Sequence, residues 1–384
     1  MIHIPNKPLA EAMSIITPAA KGSSISPLHV KAAGDGVLFR LYGQYGIAHK
    51  VKADVEAPLE FYVNVHTFGD VVRALGKAGE LTALSLADDN RLELSCGTFK
   101  PRLSLLSDEY GAANQLVGMP ELGALESHTT LPDDAVLAAM NDVLYASSAQ
   151  EYQAVFRGVL LDPQADGVRV VATDGFRMAY KELALDTTFP YKAILSRALV
   201  PAVAKTFADA TSINVTFVSS GGDVGVLDVT PTLKRPSQVV FATDKTLLMV
   251  ELMEGSFPDY ERVIPADFVS EFDVAADDFA DVTKRVLLLS DTHANNRVDL
   301  GLLEGGNLTL TAESSSGEAS DEAAVDGMSG NAGAWAFNGS YLTDALQQFR
   351  GQNVRVKFSG ATSPALFQPE GEQSLAMVVP LRTS

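Results

Sequence analysis

The stretch Phe61–Leu75, FYVNVHTFGDVVRAL, opens as a short alternating strand, passes a polar cap, and continues as an amphipathic helix. The same module appears as IHIPNKPLAEAMSII from Ile2, TTLPDDAVLAAMNDVLY from Thr129 and AILSRALVPAVAKTF from Ala193. It returns as EFDVAADDFADVTKRVLLL from Glu271 and AFNGSYLTDALQQF from Ala336, which makes six copies in one chain of 384 residues. Leu9, Met13 and Ile16 follow at i, i+4, i+7, as do Val136, Met140 and Val143. Asn6, Asp133, Ser196, Asp277 and Ser340 are candidate N-caps or first-turn residues, whose side chains satisfy free backbone N–H groups.

Period-2 runs follow the helices. Residues 81–106, LTALSLADDNRLELSCGTFKPRLSLL, read as strands with a tight Asp-Asp-Asn turn. Residues 212–233 read as a hairpin around Ser219, Gly221 and Gly222, and residues 300–313 as one around Gly305-Gly306-Asn307. Each unit is therefore one helix with about four antiparallel strands, an α+β arrangement that buries a helix face on a sheet face. Pairs of units give three similar domains, 1–126, 127–254 and 255–384, with boundaries near Ser127 and Gly255.

The totals exclude several function classes. There are 48 acidic and 29 basic residues, a net charge of −19, which argues against tight phosphate binding over the whole surface. A single cysteine, Cys96, rules out an internal disulfide and a thiolate metal cluster, and its run LELSCGTF places it as a small buried hydrophobe. The N-terminus lacks a signal-peptide pattern, and no run of about 18 apolar residues exists, so a cytoplasmic protein is expected.

Catalytic patterns are absent from the sequence. His3, His29, His49, His66, His128 and His293 form no helical metal pair and no HExxH. Ser290, Asp291 and His293 are neighbours on one loop, and a triad needs residues that converge in space. No phosphate-binding glycine motif opens a helix, so no cofactor is expected. The run Ser314-Ser315-Ser316-Gly317 reads as a hairpin loop, and Asp259 in FPDY as turn chemistry.

Within VVATDGFRMAY (Val170–Tyr180), Asp174-Gly175 between apolar runs reads as a hairpin turn, because glycine tolerates positive φ. Arg177 emerges between Phe176 and Met178. Two readings stand open here: a recognition patch of adaptable apolar groups with an arginine anchor, or an edge hairpin that happens to carry an arginine.

VVATDGFRMAY resembles the Thr-Asp-Gly-x-Arg-Leu/Val-Ala signature of the bacterial β sliding clamps, processivity factors of replicative DNA polymerase. EYQAVFRGVLLD (Glu151–Asp162), LMEGSFPDYERVIP (Leu252–Pro265), LLLSDTHANNRVDL (Leu287–Leu300) and AMVVPLRTS (Ala376–Ser384) resemble further family segments in the same order. The resemblance covers the second and third domains well and residues 1–126 weakly. It implies the DNA clamp fold, three similar domains of two helix-plus-sheet units. It implies that two chains would join head to tail as a ring homodimer around double-stranded DNA, with helices lining the hole. It implies a non-enzymatic protein that DNA polymerase, the clamp loader and repair proteins engage through short peptide motifs.

Residues carry over one by one. The partner-peptide wall would include Phe156, Thr173, Gly175, Phe176, Arg177 and Met178, with Pro258, Arg262 and Val263 from the second segment. The tail would add Met377, Val378, Val379, Pro380, Leu381 and Arg382, with Asn338 and Tyr341 at the rim. DNA-facing candidates are Lys7, Lys21, Arg73, Lys77, Arg197, Lys205 and Lys284, with Gln150 at a family position close to DNA. Arg73 and Lys77 are spaced to share a helix face. Leu103 and Leu105 match one side of the family's dimer joint, and Leu288 and Leu289 the other.

The match has departures. Ser23 replaces a family arginine near DNA, and YGQYGIAHK (Tyr42–Lys50) lacks the Gly-Thr-x-x-Glu pattern. The helix from Asp133 to Tyr145 has no basic residue, and Pro101 interrupts a strand near the joint, which is tolerable at an edge or bulge. Weaker attraction to DNA than in other family members is therefore expected. Rival readings are a clamp paralogue, a peptide-binding scaffold without a DNA role, and an acidic hydrolase using Asp174, Asp259 and His293.

Overall fold

The computed structural model describes the chain except residues 21, 23–24, 76–78, 88, 108–118, 151–153, 188, 221–226, 229–235, 303–306 and 383–384. Six α-helices lie among the described residues: α1 (Asn6–Ile16), α2 (Val65–Leu75), α3 (Ala135–Val143), α4 (Val200–Thr206), α5 (Ala276–Leu287) and α6 (Gly339–Gln347). Each stands in one of the six repeated modules. α2 buries Val65, Phe68, Val72 and Leu75, one stripe at helical spacing, and α1 buries Leu9, Ala12, Met13 and Ile16. The two helices pack together, as do α5 and α6.

The capping expectations meet mixed outcomes. Asn6 is not an N-cap. It is the first residue of α1, and its buried amide donates to the carbonyls of Leu75 (3.1 Å) and Gly79 (2.6 Å), which ties the start of α1 to the end of α2. α6 is capped by Asn338, whose side-chain oxygen accepts from the N–H groups of Ser340 (3.0 Å) and Tyr341 (3.4 Å). Asp277 lies in the first turn of α5 and accepts from the N–H of Gly351 at 2.8 Å.

The strands show what the six modules share and where they differ. Three groups run in the spatial order fourth-first-second-third, the Greek-key arrangement. They are Pro27–Ala33, Gly36–Tyr42, Gly46–Lys52 and Leu59–Asn64; Gly158–Gln164, Gly167–Thr173, Arg177–Ala184 and Ala193–Ser196; and Arg297–Leu302, Asn307–Ser314, Gly317–Ala324 and Gly333–Asn338. The fourth strand of each group leads into α2, α4 or α6. The other three groups run in plain order: Ile2–Pro5, Leu81–Leu86, Arg91–Ser95, Arg102–Ser104; Thr129–Leu131, Ile213–Ser220, Gln238–Ala242, Thr246–Glu251; and Ser270–Ala275, Asn353–Phe358, Ala365–Pro369, Ser374–Val378. Their first strands lead into α1, α3 and α5.

Two compact units result. Residues 1–134 with 201–252 form one, and residues 135–200 with 253–384 the other. In the first unit, Gly46–Lys52 pairs with Thr246–Glu251, joining two strand groups into a nine-stranded sheet. In the second, Arg177–Ala184 pairs with Ser374–Val378 in the same way. Each unit also keeps one smaller sheet, of five strands in the first and four in the second. The core of the second unit gathers Phe272, Phe279, Phe337, Phe358 and Phe367, with the Trp335 ring stacked on Phe358 at 3.8 Å.

The expected hairpins form around turns that lie partly outside the described residues. Leu81–Leu86 pairs with Arg91–Ser95, Ile213–Ser220 with Leu227–Asp228, and Arg297–Leu302 with Asn307–Ser314. The serine run closes Ser314 on Gly317 (φ 137°), as its turn chemistry demands. Cys96 is buried. Pro101 stands just before Arg102–Ser104, an edge strand, where its missing N–H costs no ladder bond.

Two histidines give the first unit a pH response. Burial lowers the pKa of His29, outweighing its bond to Glu60, and burial and Lys245 lower that of His49, which meets Thr246 Oγ1 at 2.8 Å across the strand joint. Both are held neutral in the folded state, so the unfolded chain takes up protons first as pH falls. Their stabilisation is complete above the ordinary value of 6.5 and is lost as pH drops through the folded values. Melting followed from pH 7.5 to 5 should show the first unit losing a few degrees. A His29→Gln, His49→Gln chain should show a flatter profile; an unchanged slope would contradict this.

Candidate docking site

The hairpin at Asp174 is built by its carboxylate. Oδ1 accepts the N–H groups of Phe176 and Arg177, each at 2.9 Å, and Oδ2 accepts Arg177 Nε at 3.0 Å. The Thr173 hydroxyl donates to the Arg177 carbonyl at 2.8 Å and accepts from the Gly175 N–H at 3.1 Å. Gly175 adopts φ 88°, where a side chain would be strained. With three donors on its carboxylate and the residue buried, Asp174 serves to turn the chain.

Arg177 is equally committed. Its guanidinium spans Asp174 and Asp344, with NH1 2.5 Å from Asp344 Oδ2 on α6, and lies 4.3 Å from the Tyr341 ring centre and 5.6 Å from that of Tyr145. Burial alone would depress its pKa, but the Asp344 bond and the two carboxylate charges raise it above the ordinary arginine value. The arginine is thus not an open anchor. It fixes the turn to α6 and lies over the Tyr341 ring.

What the turn presents is Phe176, 56% exposed at its tip. Its carbonyl accepts the N–H of Val379 at 2.9 Å, and the Leu381 N–H donates to Ala336 at 2.7 Å. The C-terminal tail therefore runs past the turn, with Val379, Pro380 and Leu381 half-buried and Arg382 exposed. Asn338 and Tyr341 stand at the start of α6 beside it. Of the residues assigned to the wall, Thr173, Met178, Met377 and Val378 are buried, at 7%, 1%, 4% and 0% exposed. Cross-strand pairing of Met178 with Met377 turns those two side chains into one apolar cluster, while Val378 faces the other way, into the core that holds Phe337 and Phe358. They support the wall from behind.

The remaining wall candidates lie in the same unit. Phe156 is half-buried in a one-turn helix, Ala154–Arg157, and its carbonyl accepts the Ser148 N–H at 2.7 Å. Pro258 is half-buried, Val263 is exposed, and the exposed Arg262 pairs with Asp259 at 2.7 Å. Sequence reading missed Asp344, Tyr145, Arg169 and Tyr260. Tyr341 and Asp344 share a helix face, but nothing local pointed either toward Arg177.

Most helix cations are spent on neighbours. Arg73 bonds Asp70 at 2.6 Å, Lys284 lies 3.4 Å from Asp281, and Arg197 donates to the Ser147 carbonyl at 2.6 Å. Lys7 and Lys205 are exposed on α1 and α4, and Gln150 is exposed after α3. Lys21, Lys77 and Ser23 lie outside the described residues. Leu103 is buried on the edge strand Arg102–Ser104, and Leu105, beside it, is half-buried. Leu288, at the end of α5, is 82% exposed, and Leu289 is half-buried.

The hydrolase candidates do not converge on chemistry. Asp259 is a surface partner of Arg262, and His293 sits in an exposed one-turn helix whose cap is Asp291, accepting the His293 backbone N–H at 2.8 Å. The Ser290 hydroxyl donates to the Leu287 carbonyl at 3.0 Å.

Comparison with known proteins converges on one family. The profile described as DNA polymerase III beta subunit, central domain, matches residues 130–259, and that of the C-terminal domain matches residues 261–382. A beta sliding clamp of Caulobacter vibrioides is 27% identical over 367 residues, covering 94% of this chain and 92% of its own. That of Bacillus subtilis is 23% identical over 336 residues, covering 86% and 82%. Among solved structures, the beta subunit of Streptococcus pyogenes superposes with a TM-score of 0.86 at 18% identity, over the whole of both chains. A Pseudomonas aeruginosa sliding clamp bound to griselimycin superposes at 0.84 and 19% identity, also over the whole of both chains. Matched by these profiles over residues 130–259 and 261–382 and by these relatives over most of its length, the chain belongs to the DNA polymerase III beta subunit family, the bacterial sliding clamps.

Proposed function

We propose that two copies close head to tail into a ring around duplex DNA and tether DNA polymerase, the clamp loader and repair proteins through peptides docked beside Phe176. The observation that carries the ring is a pair of vacant edges. In each nine-stranded sheet, the third strand of a Greek-key group pairs with the fourth strand of a plain-order group. The two remaining groups keep those strands, Gly317–Ala324 and Arg102–Ser104, as edges with one neighbour each among the described strands. A sheet edge with unpaired N–H and C=O groups recruits a strand. Four strands from one copy and five from another would rebuild the same nine-stranded sheet, and two such contacts close a ring of three domains per chain. Leu103, Leu105, Leu288 and Leu289 are the apolar groups assigned to that contact.

The helices α1–α6 would line the hole. Lys7, Lys205, Arg73, Arg197, Lys284 and Gln150 are then the described residues nearest the duplex. Because most of these cations already hold partners, enclosure retains the DNA and electrostatic attraction stays small. The griselimycin complex of the Pseudomonas aeruginosa clamp supports a ligand site in this fold. The rings would act in the cytoplasm, where replication takes place.

The test is topological. A ring loaded on nicked circular DNA should stay bound through a salt wash and leave when the circle is cut once. With Lys7 and Lys205 the cations of the described helices that carry no ion pair, the log–log salt slope for a linear duplex should be no steeper than about −4 per dimer. Loss from intact circles during the wash would overturn the ring, and a slope near about −8 would overturn the weak-contact account.

A further inference from the structure

Residues 253–269 run outside every strand and α-helix, with a single one-turn helix at Glu261–Val263. Irregular stretches longer than about 12–15 residues are uncommon in compact domains and tend to carry function. Backbone bonds tie its ends, Met253 N–H to the Ile194 carbonyl and Val269 N–H to that of Phe358, and between them side chains help to position the segment. Phe257, Tyr260, Ile264 and Phe268 pack on the cluster that contains Met178 and Met377.

The polar ties converge on one arginine. Arg169, on strand Gly167–Thr173, donates to Glu182 at 3.0 Å on the neighbouring strand, and to Tyr260 Oη at 3.2 Å and Glu261 at 2.7 Å on the irregular segment. Its guanidinium lies 4.8 Å from the centre of the Tyr180 ring. The Tyr260 hydroxyl donates to the buried Asp162 at 2.7 Å, and Asp162 also meets Lys192 at 2.8 Å.

We propose that Arg169 is a positioning residue for partner docking: by bridging Glu182 to Glu261 and Tyr260, it sets where Pro258 and Val263 stand relative to the sheet that presents Phe176. The inference rests on the docking reading given above. Glu261 immediately precedes Arg262 and Val263, so the bridge acts at the docking end of the segment. Tyr260 keeps Asp162 and its apolar packing when Arg169 is replaced. The fold persists, and only the fixed position of the wall is lost.

The test pairs griselimycin affinity, by calorimetry, with hydrogen exchange. In Arg169→Met, affinity should fall about tenfold, because the binding-competent position is occupied a smaller fraction of the time. Exchange should quicken at the Val263 and Ile264 amides, which donate to Tyr260 and Glu261, while strand Arg177–Ala184 stays protected. Arg169→Lys, which keeps the charge but not the fork, should fall between the two. Glu261→Gln removes one tie from a solvent-exposed position and should act in the same direction, more weakly. Undiminished affinity in both Arg169→Met and Glu261→Gln overturns the proposal, as does a loss accompanied by exchange throughout strand Arg177–Ala184. Failure of the unaltered chain to bind griselimycin would instead remove the docking reading, and this proposal with it.

Discussion

A chain carrying Ser320→Pro is expected to run as a monomer at concentrations where the proposed ring dimer of the unaltered chain forms. Ser314 faces Gly317 across a two-residue turn, and Ser320 faces Thr311. In an antiparallel hairpin, pairs that exchange hydrogen bonds alternate with pairs that do not. Counting from the turn, Glu318, Ser320 and Glu322 direct their N–H and C=O groups away from the hairpin. The Glu322 N–H donates to its neighbour's carboxylate, Asp321 Oδ1 at 2.9 Å, which agrees with that count. Proline at 320 therefore removes a donor that the chain's own ladder does not use, and edge strands tolerate it. The loss falls on the incoming strand. Two such contacts per ring, each weakened by about 2–3 kcal/mol through lost hydrogen bonds and a poorer strand fit, correspond to on the order of a hundredfold in Kd per contact. Light scattering across a dilution series reads the mass, and nicked-circle retention reads the consequence. A variant that stays dimeric would place the ring contact elsewhere than on Gly317–Ala324.

The strength of that prediction comes from a regularity that only the structure displays. Local periodicity exposes all six modules, since a strand switching to a helix changes its apolar spacing within a few residues. The alternation between Greek-key and plain order depends on pairings such as Thr246 with His49, far apart in the chain, and no local pattern encodes them. The Asp-Gly turn was legible for the same reason as the modules, because its chemistry is contained within four residues. Arg177 was only half legible. Its place beside the turn could be read, but its second carboxylate, Asp344, is 167 residues away, and the pair converts an apparent anchor into a strut. Met178 and Met377 show the converse. Adaptable side chains beside an arginine suggest a recognition surface, yet a two-residue period places Met178 on the opposite sheet face from Arg177, under residues 253–269. Asn6 stands in the first turn, as its place before an apolar-periodic run suggests, but its amide closes α1 onto α2, which depends on residues about 70 positions away.

Phe176→Ala is expected to weaken docking while leaving the fold intact. The ring is 56% exposed and lies outside the named core clusters, so its loss should change stability by only a few tenths of a kcal/mol. An exposed phenylalanine on a fixed turn is a reserve of apolar area that a ligand can cover; with about half of it still open, covering it contributes about 1–1.5 kcal/mol. That corresponds to roughly five- to tenfold in Kd for griselimycin or for a partner peptide. The fixed backbone of the turn matters as well as the area, because chain freedom not lost on binding is not charged against affinity. It comes from Asp174 and Arg177, so Arg177→Met should combine weaker docking with a measurable loss of stability, since it leaves Asp174 and Asp344 without their shared cation. The two variants thus separate contact from support. Phe176→Ala moves affinity alone, and Arg177→Met moves affinity and melting together. If Phe176→Ala bound both ligands undiminished, the exposed ring would be a surface accident and the docking site would have to lie away from the tip of the Asp-Gly turn.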